Sequence, residues 1–168
     1  MRTIGFDGGS SLYELGPASD VILFFQCLDV YAVKREMYDG WSLLTDRLYR
    51  RYVRMVDNER TSFLMDRVQS SFEREATDSA IDWNNFNSDQ SWLEPSRSTL
   101  ADLFSRYFEG FSRCIESAKL NYETFKEYSG YSYEPVRIVI SDLAGFARDK
   151  NKSLGEYDAL EGQPFWLQ

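Results

Sequence analysis

The stretch that decides the fold is STLADLFSRYFEGFSRCIESAKLNYETFKEY, residues 98–128. Its apolar side chains recur three or four positions apart, and this spacing places them on one face of an α-helix. They are Leu100, Leu103, Phe104, Tyr107, Phe108, Phe111, Cys114, Ile115, Ala118, Tyr122 and Phe125. A face this broad has to be covered by other elements. The stretch therefore predicts one long amphipathic helix that packs into an apolar core.

Three shorter segments show the same periodicity. The first follows Ser19, a favourable N-cap residue, and its apolar positions are Val21, Phe24, Phe25, Leu28 and Ala32. The second runs from Ser42 to Val56, with apolar residues Leu44, Leu48, Tyr52 and Met55. After a break near Asp57 and Asn58, the third carries Phe63, Leu64, Val68 and Phe72. Three further helices are predicted, and a buried strand over residues 21–25 is the competing prediction for the first.

Strand signals lie near both ends of the chain. Arg2–Phe6 fits a short strand before a turn-rich passage, and Val136, Ile138 and Ile140 alternate with other residues as in a strand. The apolar end, residues 165–167, returns as a strand or docks against the helices. A length of 168 residues fits one domain. We therefore expect a single domain over 1–168, a predominantly helical α+β fold with four or five helices and a small sheet from the N- and C-terminal segments.

Composition restricts the classes of function. The chain has no histidine and carries 27 Asp and Glu against 19 Lys and Arg, a net charge of −8. It therefore lacks the commonest general base and the commonest metal ligand. No phosphate-binding glycine loop, nucleophile motif or metal-ligand spacing is present. We predict no catalytic residue, no metal and no cofactor, and a basic protein as the partner of this acidic chain.

The sequence also indicates where the protein resides. Cys27 and Cys114 each lie within an apolar periodic segment, where a free thiol behaves as a small core residue. The N-terminus lacks the features of a secretory signal, and the longest apolar stretch, residues 21–33, is interrupted by Gln26 and Asp29. We expect a cytoplasmic protein with reduced thiols and no contact with the membrane.

Two charged stripes on predicted helices allow alternatives. Asp102, Glu109, Glu116 and Glu123 recur every seven residues, but Arg106 and Arg113 follow the first two by four positions, as on an ordinary solvated face. Arg47, Arg50, Arg51 and Arg54 share one face and suit phosphate, which would make the protein a nucleic-acid-binding regulator. They equally suit pairing with acids such as Asp46, Asp57 and Glu59. The net negative charge of the chain argues against nucleic acid as the partner.

A third class of function, an enzyme that uses carboxylates alone, has no specific support in the sequence. Carboxyl pairs do perform acid–base chemistry, as in glycoside hydrolysis. With 27 acidic residues in the chain, however, no particular pair stands out.

The strongest binding signal is the segment 75–94, which has five acids and not one Lys or Arg. Aromatic residues alternate with these acids, as expected for an interface that meets a cationic partner. The predicted contact residues are Asp78, Asp82, Trp83, Phe86, Asp89, Trp92 and Glu94. The alternative is a connecting loop whose tryptophans hold it to the core. A second predicted group near the C-terminus is Glu156, Tyr157, Asp158 and Glu161.

Three runs of the tail carry a family resemblance: RIVISDL (residues 137–143), DKN (149–151) and EYDALEGQPFW (156–166). Together they resemble the tail of bacterial contact-dependent growth inhibition immunity proteins. The resemblance implies a small cytoplasmic protein that binds the C-terminal toxin domain of a cell-surface effector, commonly a nuclease, and blocks it. It implies no catalytic residues. A basic toxin domain fits the acidic charge of this chain, because a nuclease needs a positive groove that an acidic protein can occupy.

Overall fold

The computed structural model describes residues 2–8, 11–86, 89–125, 127, 139–142 and 153–168. Its strands are β1 (Ile4–Asp7), β2 (Leu12–Gly16) and β3 (Val139–Asp142). Its α-helices are α1 (Ala18–Leu28), α2 (Asn58–Glu73), α3 (Thr77–Ala80), α4 (Leu100–Leu103), α5 (Ser105–Phe125) and α6 (Leu154–Asp158). The segments Asp29–Val33 and Leu43–Leu48 are π-helical, and Met55–Asp57 and Phe165–Leu167 are 3₁₀ turns. The predicted α+β fold, predominantly helical, is confirmed.

The small sheet joins the two ends of the chain, as predicted. Its strand order is β2-β1-β3, and both pairings are antiparallel. On one side of β1, Phe6 pairs with Tyr13, and on the other side it pairs with Ile140. The predicted strand residues Val136 and Ile138 lie outside the described residues. Residues 165–167 do not add a strand, and instead Trp166 is buried with its indole N–H donating to the Tyr49 carbonyl at 2.9 Å.

The core is built around Phe24 of α1. Its ring is fully buried and lies 4.6 Å from the Tyr107 ring, 5.3 Å from Phe104 and 5.9 Å from Phe72, measured between centroids. These residues bring α1, α2 and α5 together. The sheet joins the same core, because the buried rings of Phe6 and Phe111 are 5.9 Å apart. The apolar face predicted for α1 is buried as expected, and the strand alternative for residues 21–25 is wrong.

Both cysteines are free and buried, as predicted. Burial raises the pKa of Cys27 to about 12. It raises the pKa of Cys114 to about 11, although hydrogen bonds at Ser11 and Gly8 oppose that shift. Thiols with such raised pKa values are almost entirely protonated at neutral pH, which makes them poor nucleophiles.

The long helix predicted over 98–128 is interrupted. Thr99 caps α4 by accepting a hydrogen bond from the Asp102 backbone N–H at 3.2 Å, and the helix stops at Phe104, whose φ of −100° and ψ of 21° are not helical. Phe104 turns its ring into the core, where it is fully buried. The chain then resumes as α5. The break separates a short turn that belongs to the neighbouring loop from the long helix that belongs to the core.

Two other boundaries differ from the prediction. α1 starts at Ala18 with Pro17 in the N-cap position, so Ser19 lies inside the first turn. The helix predicted over 42–56 is replaced by the π-helical segment Leu43–Leu48 and ends by Arg50. Tyr52 leaves it to pack against Tyr157, with ring centroids 5.9 Å apart. Tyr52 therefore packs against a residue more than a hundred positions later in the sequence instead of continuing the helix.

None of the helices in the described part of the chain combines the length and the apolar character that crossing a membrane requires.

Candidate partner-binding surface

The acidic segment forms a loop that is closed at its base. Ala76 and Thr99 form an antiparallel bridge. Beside it, the Thr77 N–H donates to the Ser98 carbonyl and the Leu100 N–H donates to the Glu75 carbonyl, both at 3.0 Å. We call residues 77–98 the acidic loop. Because its two ends are hydrogen-bonded together, the loop has a defined position on the core.

Trp92 fastens the far side of this loop to the N-terminal half of the fold. Its backbone N–H donates to Oδ2 of Asp20 at 2.8 Å, and its ring lies against Gly16. Gly16 has a φ of +130°, and a Cβ atom there would lie 3.2 Å from Asp20 Oδ2 and 3.4 Å from the indole. A glycine is therefore needed both for the backbone angle and for the space. The Arg106 guanidinium covers the indole at 5.4 Å from the ring centroid.

Trp83 and Phe86 form the second attachment. Trp83 is half-buried and packs against the core, and its ring meets that of Phe86 edge to face with centroids 5.9 Å apart. Both tryptophans predicted as interface anchors are thus packed against their own fold. The structure favours the alternative interpretation from the sequence, in which they hold the loop in place.

The acids of the loop divide into two kinds. Asp82 is exposed but structural, since its carboxylate accepts hydrogen bonds from the Asn84 backbone N–H at 3.1 Å and from the Asn85 side chain. Glu94 pairs with Arg97 at 3.0 Å. Asp78 and Asp89, in contrast, are exposed and make no ion pair with any described residue. The free negative charge of the acidic loop is therefore concentrated at these two positions.

Asp20, which was not predicted from the sequence, attaches the acidic loop to α1 by accepting the hydrogen bond from Trp92. It is fully buried, and burial raises the pKa of its carboxyl above the usual 3.8, although hydrogen bonds from Trp92, Ser91 and Ser19 oppose the shift. A signal was present, because Asp20 lies four residues before Phe24 and eight before Leu28. An acid on the apolar face of an amphipathic helix becomes buried, and a buried polar group needs a hydrogen-bond partner.

We predict that Asp20→Asn will reduce the dependence of the free energy of unfolding on pH in the acidic range. The pKa of Asp20 is higher in the folded protein than in the unfolded chain, so the folded protein keeps the carboxyl proton to higher pH. The free energy of unfolding therefore falls as pH rises from the unfolded pKa, about 4, through the folded pKa. Asparagine does not titrate, but its oxygen still accepts from Trp92. Urea unfolding from pH 4 to pH 8 measures the slope. Asp78→Asn is the exposed control, and a slope identical to the parent in Asp20→Asn would contradict the prediction.

The second predicted group, near the C-terminus, is mainly structural. Tyr157 is buried between Tyr52 and Phe165, so its side chain is not exposed to a partner in this structure. Asp158 pairs with Arg47 at 3.2 Å and accepts from the Tyr52 hydroxyl at 3.1 Å. Glu156 closes a capping box with Ser153 at the start of α6. Glu161 is exposed, and its carboxylate makes no ion pair with a described residue.

The predicted arginine stripe holds this C-terminal segment. Arg51 donates to the carbonyls of Tyr157, Asp158 and Leu160 at 2.7, 2.6 and 3.2 Å. Arg50 donates to the Gly162 carbonyl at 2.7 Å. Arg54 pairs with Asp57 at 2.9 Å, so acids and carbonyls of the same chain engage all four arginines of the stripe. This arrangement does not leave the free positive face that a nucleic-acid-binding regulator needs.

The carboxylate-enzyme alternative also gains no support. The buried carboxyl groups in the described part of the chain are Asp7 and Asp20, and neither lines any of the three pockets described for this fold. Asp20 is engaged with the backbone of Trp92. Within the same residues, no group of three or more Cys, Asp or Glu side chains is arranged to hold a metal ion.

The predicted acidic stripe, which the structure divides between α4 and α5, is partly paired. Glu109 pairs with Arg113 at 2.6 Å, as predicted. Asp102 pairs with Arg97 at 3.5 Å and not with Arg106, because Arg106 lies over Trp92. Glu109 also accepts a hydrogen bond from the Tyr13 hydroxyl at 3.1 Å. Two depressions flank this part of α5, one beside Trp92 and one facing α2, and both include Ser105 and Glu109.

Comparison of the chain with protein-family models, curated proteins and solved structures finds no match.

Proposed function

We propose that this protein is an immunity protein of contact-dependent growth inhibition. In the cytoplasm it binds the basic C-terminal toxin domain of a cell-surface effector, a nuclease, and neutralises it without any chemistry of its own. The resemblance of the tail supports this proposal, although residues 137–138, 143 and 149–151 of the matched runs lie outside the described residues. The net charge of −8 supports it as well, because it attracts a basic partner.

The observation that carries the proposal is the way the acidic loop is held. The loop is closed at its base by the bridge between Ala76 and Thr99 and is attached at Trp83 and Trp92, yet it presents Asp78 and Asp89 to solvent. A surface that is already ordered loses little conformational entropy when it binds. Its unpaired carboxylates speed the encounter with a cationic surface. Rapid and tight inhibition by occlusion requires no more than this.

Co-expression tests the proposal. We expect that the protein will restore growth to cells that produce the C-terminal domain of the exported effector encoded immediately upstream of it. It should give no protection against an unrelated nuclease toxin, since specificity requires a complementary surface. Colony formation with and without the protein is the measurement. Persistent growth arrest while both proteins are soluble and abundant would refute the immunity function.

A further inference from the structure

The edge of the sheet at β2 carries backbone groups without a partner. The strand order β2-β1-β3 leaves two edges, and the C-terminal 3₁₀ turn contacts β3. Apart from pairing with β1, the backbone of residues 12–15 makes one hydrogen bond in the described part of the chain: the Glu14 carbonyl accepts from the Arg106 guanidinium at 3.5 Å. That distance is the outer limit for a hydrogen bond. An unpaired strand edge of this kind can template the addition of another strand.

The hairpin determines which groups of β2 face outward. The Gly8 N–H donates to the Ser11 carbonyl at 2.8 Å, so these residues form a hydrogen-bonded pair. Such pairs alternate with non-hydrogen-bonded pairs along an antiparallel ladder. Two positions further on, Tyr13 therefore bonds to β1, whereas Leu12 and Glu14 direct their N–H and C=O groups away from it. Three of these four outward groups have no hydrogen bond within the described residues.

The side chains at this edge are accessible as well. Leu12 is 47% exposed, and Glu14 is exposed and makes no ion pair with a described residue. Both lie on one face of the strand, since side chains two positions apart point the same way. Tyr13 points to the other face, where its ring lies against Gly110 of α5. An added strand would therefore meet an apolar side chain and a free carboxylate next to each other.

A second copy of the chain fits this edge poorly. If two β2 strands overlapped fully in an antiparallel pair, Glu14 would lie opposite the Glu14 of the other copy, and like charges in that position are destabilising. A register shift of two residues would place each Leu12 opposite a Glu14, which gives neither side chain a matching neighbour. Each copy also carries a net charge of −8. The edge is therefore complementary to a strand of opposite charge.

The edge is continuous with the acidic loop. The Trp92 ring lies against Gly16 at the end of β2, and Arg106 contacts both this ring and the Glu14 carbonyl. Leu12 is four residues from Gly16, a distance of about 14 Å along a strand. A partner that covers the acidic loop at Trp92 can therefore reach the whole edge.

We propose that β2 accepts an extended segment of the basic partner as an added antiparallel strand. The segment carries Lys or Arg opposite Glu14 and a β-branched or other apolar residue opposite Leu12. Its backbone bonds to the N–H and C=O of Leu12 and to the N–H of Glu14, and a fourth bond replaces the long contact with Arg106. The inference deepens the proposed function and rests on it for the basic character of the partner.

A short peptide tests the edge without the toxin. The probe is the blocked pentapeptide Thr-Lys-Thr-Val-Thr, titrated into the ¹⁵N-labelled full-length protein. We expect a Kd on the order of 1 mM, because each backbone hydrogen bond contributes modestly in water. At about five times the Kd, solvent exchange of the Leu12 and Glu14 amides should slow about sixfold. The Tyr13 amide, already bonded to β1, should not change.

A modified peptide isolates the backbone contribution in the parent protein. Methylation of the lysine and valine backbone nitrogens keeps every side chain but removes the two donors that would face β2. This peptide should not bind, since main-chain hydrogen bonds supply the affinity of an added strand.

Variants of the edge complete the test. Leu12→Pro removes an N–H that the fold does not use, a position where an edge strand tolerates proline, so it should abolish peptide binding and keep the melting temperature. Glu14→Gln should raise the Kd at least about threefold. Asp39→Asn is an equal change of charge at an exposed residue whose carbonyl accepts from Arg60, and it should alter the Kd by less than about 1.5-fold.

The proposal is overturned if the parent protein fails to bind the peptide at about 5 mM, if the methylated peptide binds equally well, or if exchange slows elsewhere than at Leu12 and Glu14. A parent dimer that Leu12→Pro converts to a monomer would assign the edge to a second copy instead. Full growth protection by folded Leu12→Pro would reject the added strand and keep the immunity function. Peptide binding by a parent protein that gives no protection would reject the immunity function alone.

Discussion

Replacement of Arg51 by methionine should lower the free energy of unfolding by about 3 kcal/mol. Hydrogen bonds to charged groups contribute about 1.5–3 kcal/mol each, and two of the three bonds that would be lost are partly buried. Methionine keeps the aliphatic stem but none of the donors that now reach three carbonyls of the C-terminal segment. For a chain of this length, the melting temperature should fall by about 10 °C. Urea and thermal unfolding measure both quantities.

Arg54→Met is the matched control from the same stripe. The Arg54 side chain is 49% exposed and pairs with Asp57 alone, so its loss should alter stability by less than about 1 kcal/mol. Equal losses in the two variants would show that Arg51 does not hold the C-terminal segment. In that case the arginine stripe would again be available for another role.

Phe24→Ala should be the most destabilising single change in the core, with a loss of about 3–5 kcal/mol. The ring is fully buried and meets five other aromatic rings, so its removal leaves a cavity that α1, α2 and α5 cannot easily close. That loss is comparable to a large part of the stability of an ordinary domain, about 5–15 kcal/mol. Chemical denaturation gives the value directly.

Phe63→Ala provides the comparison, since that ring is 41% exposed on α2. It should lower stability by less than about 1.5 kcal/mol, the amount that corresponds to its partial burial. Similar losses at Phe24 and Phe63 would contradict the description of Phe24 as the centre of the core.

The sequence was informative wherever structure depends on neighbours along the chain. The apolar faces of α1 and α5 follow from helical spacing, and the pairing of Glu109 with Arg113 follows from a separation of four residues. The break at Phe104 does not follow from spacing. α4, which ends at this break, starts beside the bridge between Ala76 and Thr99, and that bridge ties it to a segment more than twenty residues earlier.

In the candidate site, too, local features were predictable from the sequence and contacts between distant residues were not. Local composition identified residues 75–94 as the acidic, aromatic segment, and the proposal that they anchor a loop was already one of two interpretations. The partners of Arg51 are backbone carbonyls about 106–109 residues away, and carbonyls carry no signal in a sequence.

The closed base of the acidic loop has an evolutionary implication. Because residues 76 and 99 are bridged and Trp83, Phe86 and Trp92 hold the loop, the exposed span of residues 89–90 between these attachments can accept new residues with little disturbance to the core. Doubling the length of a flexible loop adds only about 0.6 kcal/mol of closure entropy. Substitutions in that span would change the surface that a partner recognises and leave the core unchanged. The binding surface and the fold of this chain can therefore evolve at different rates.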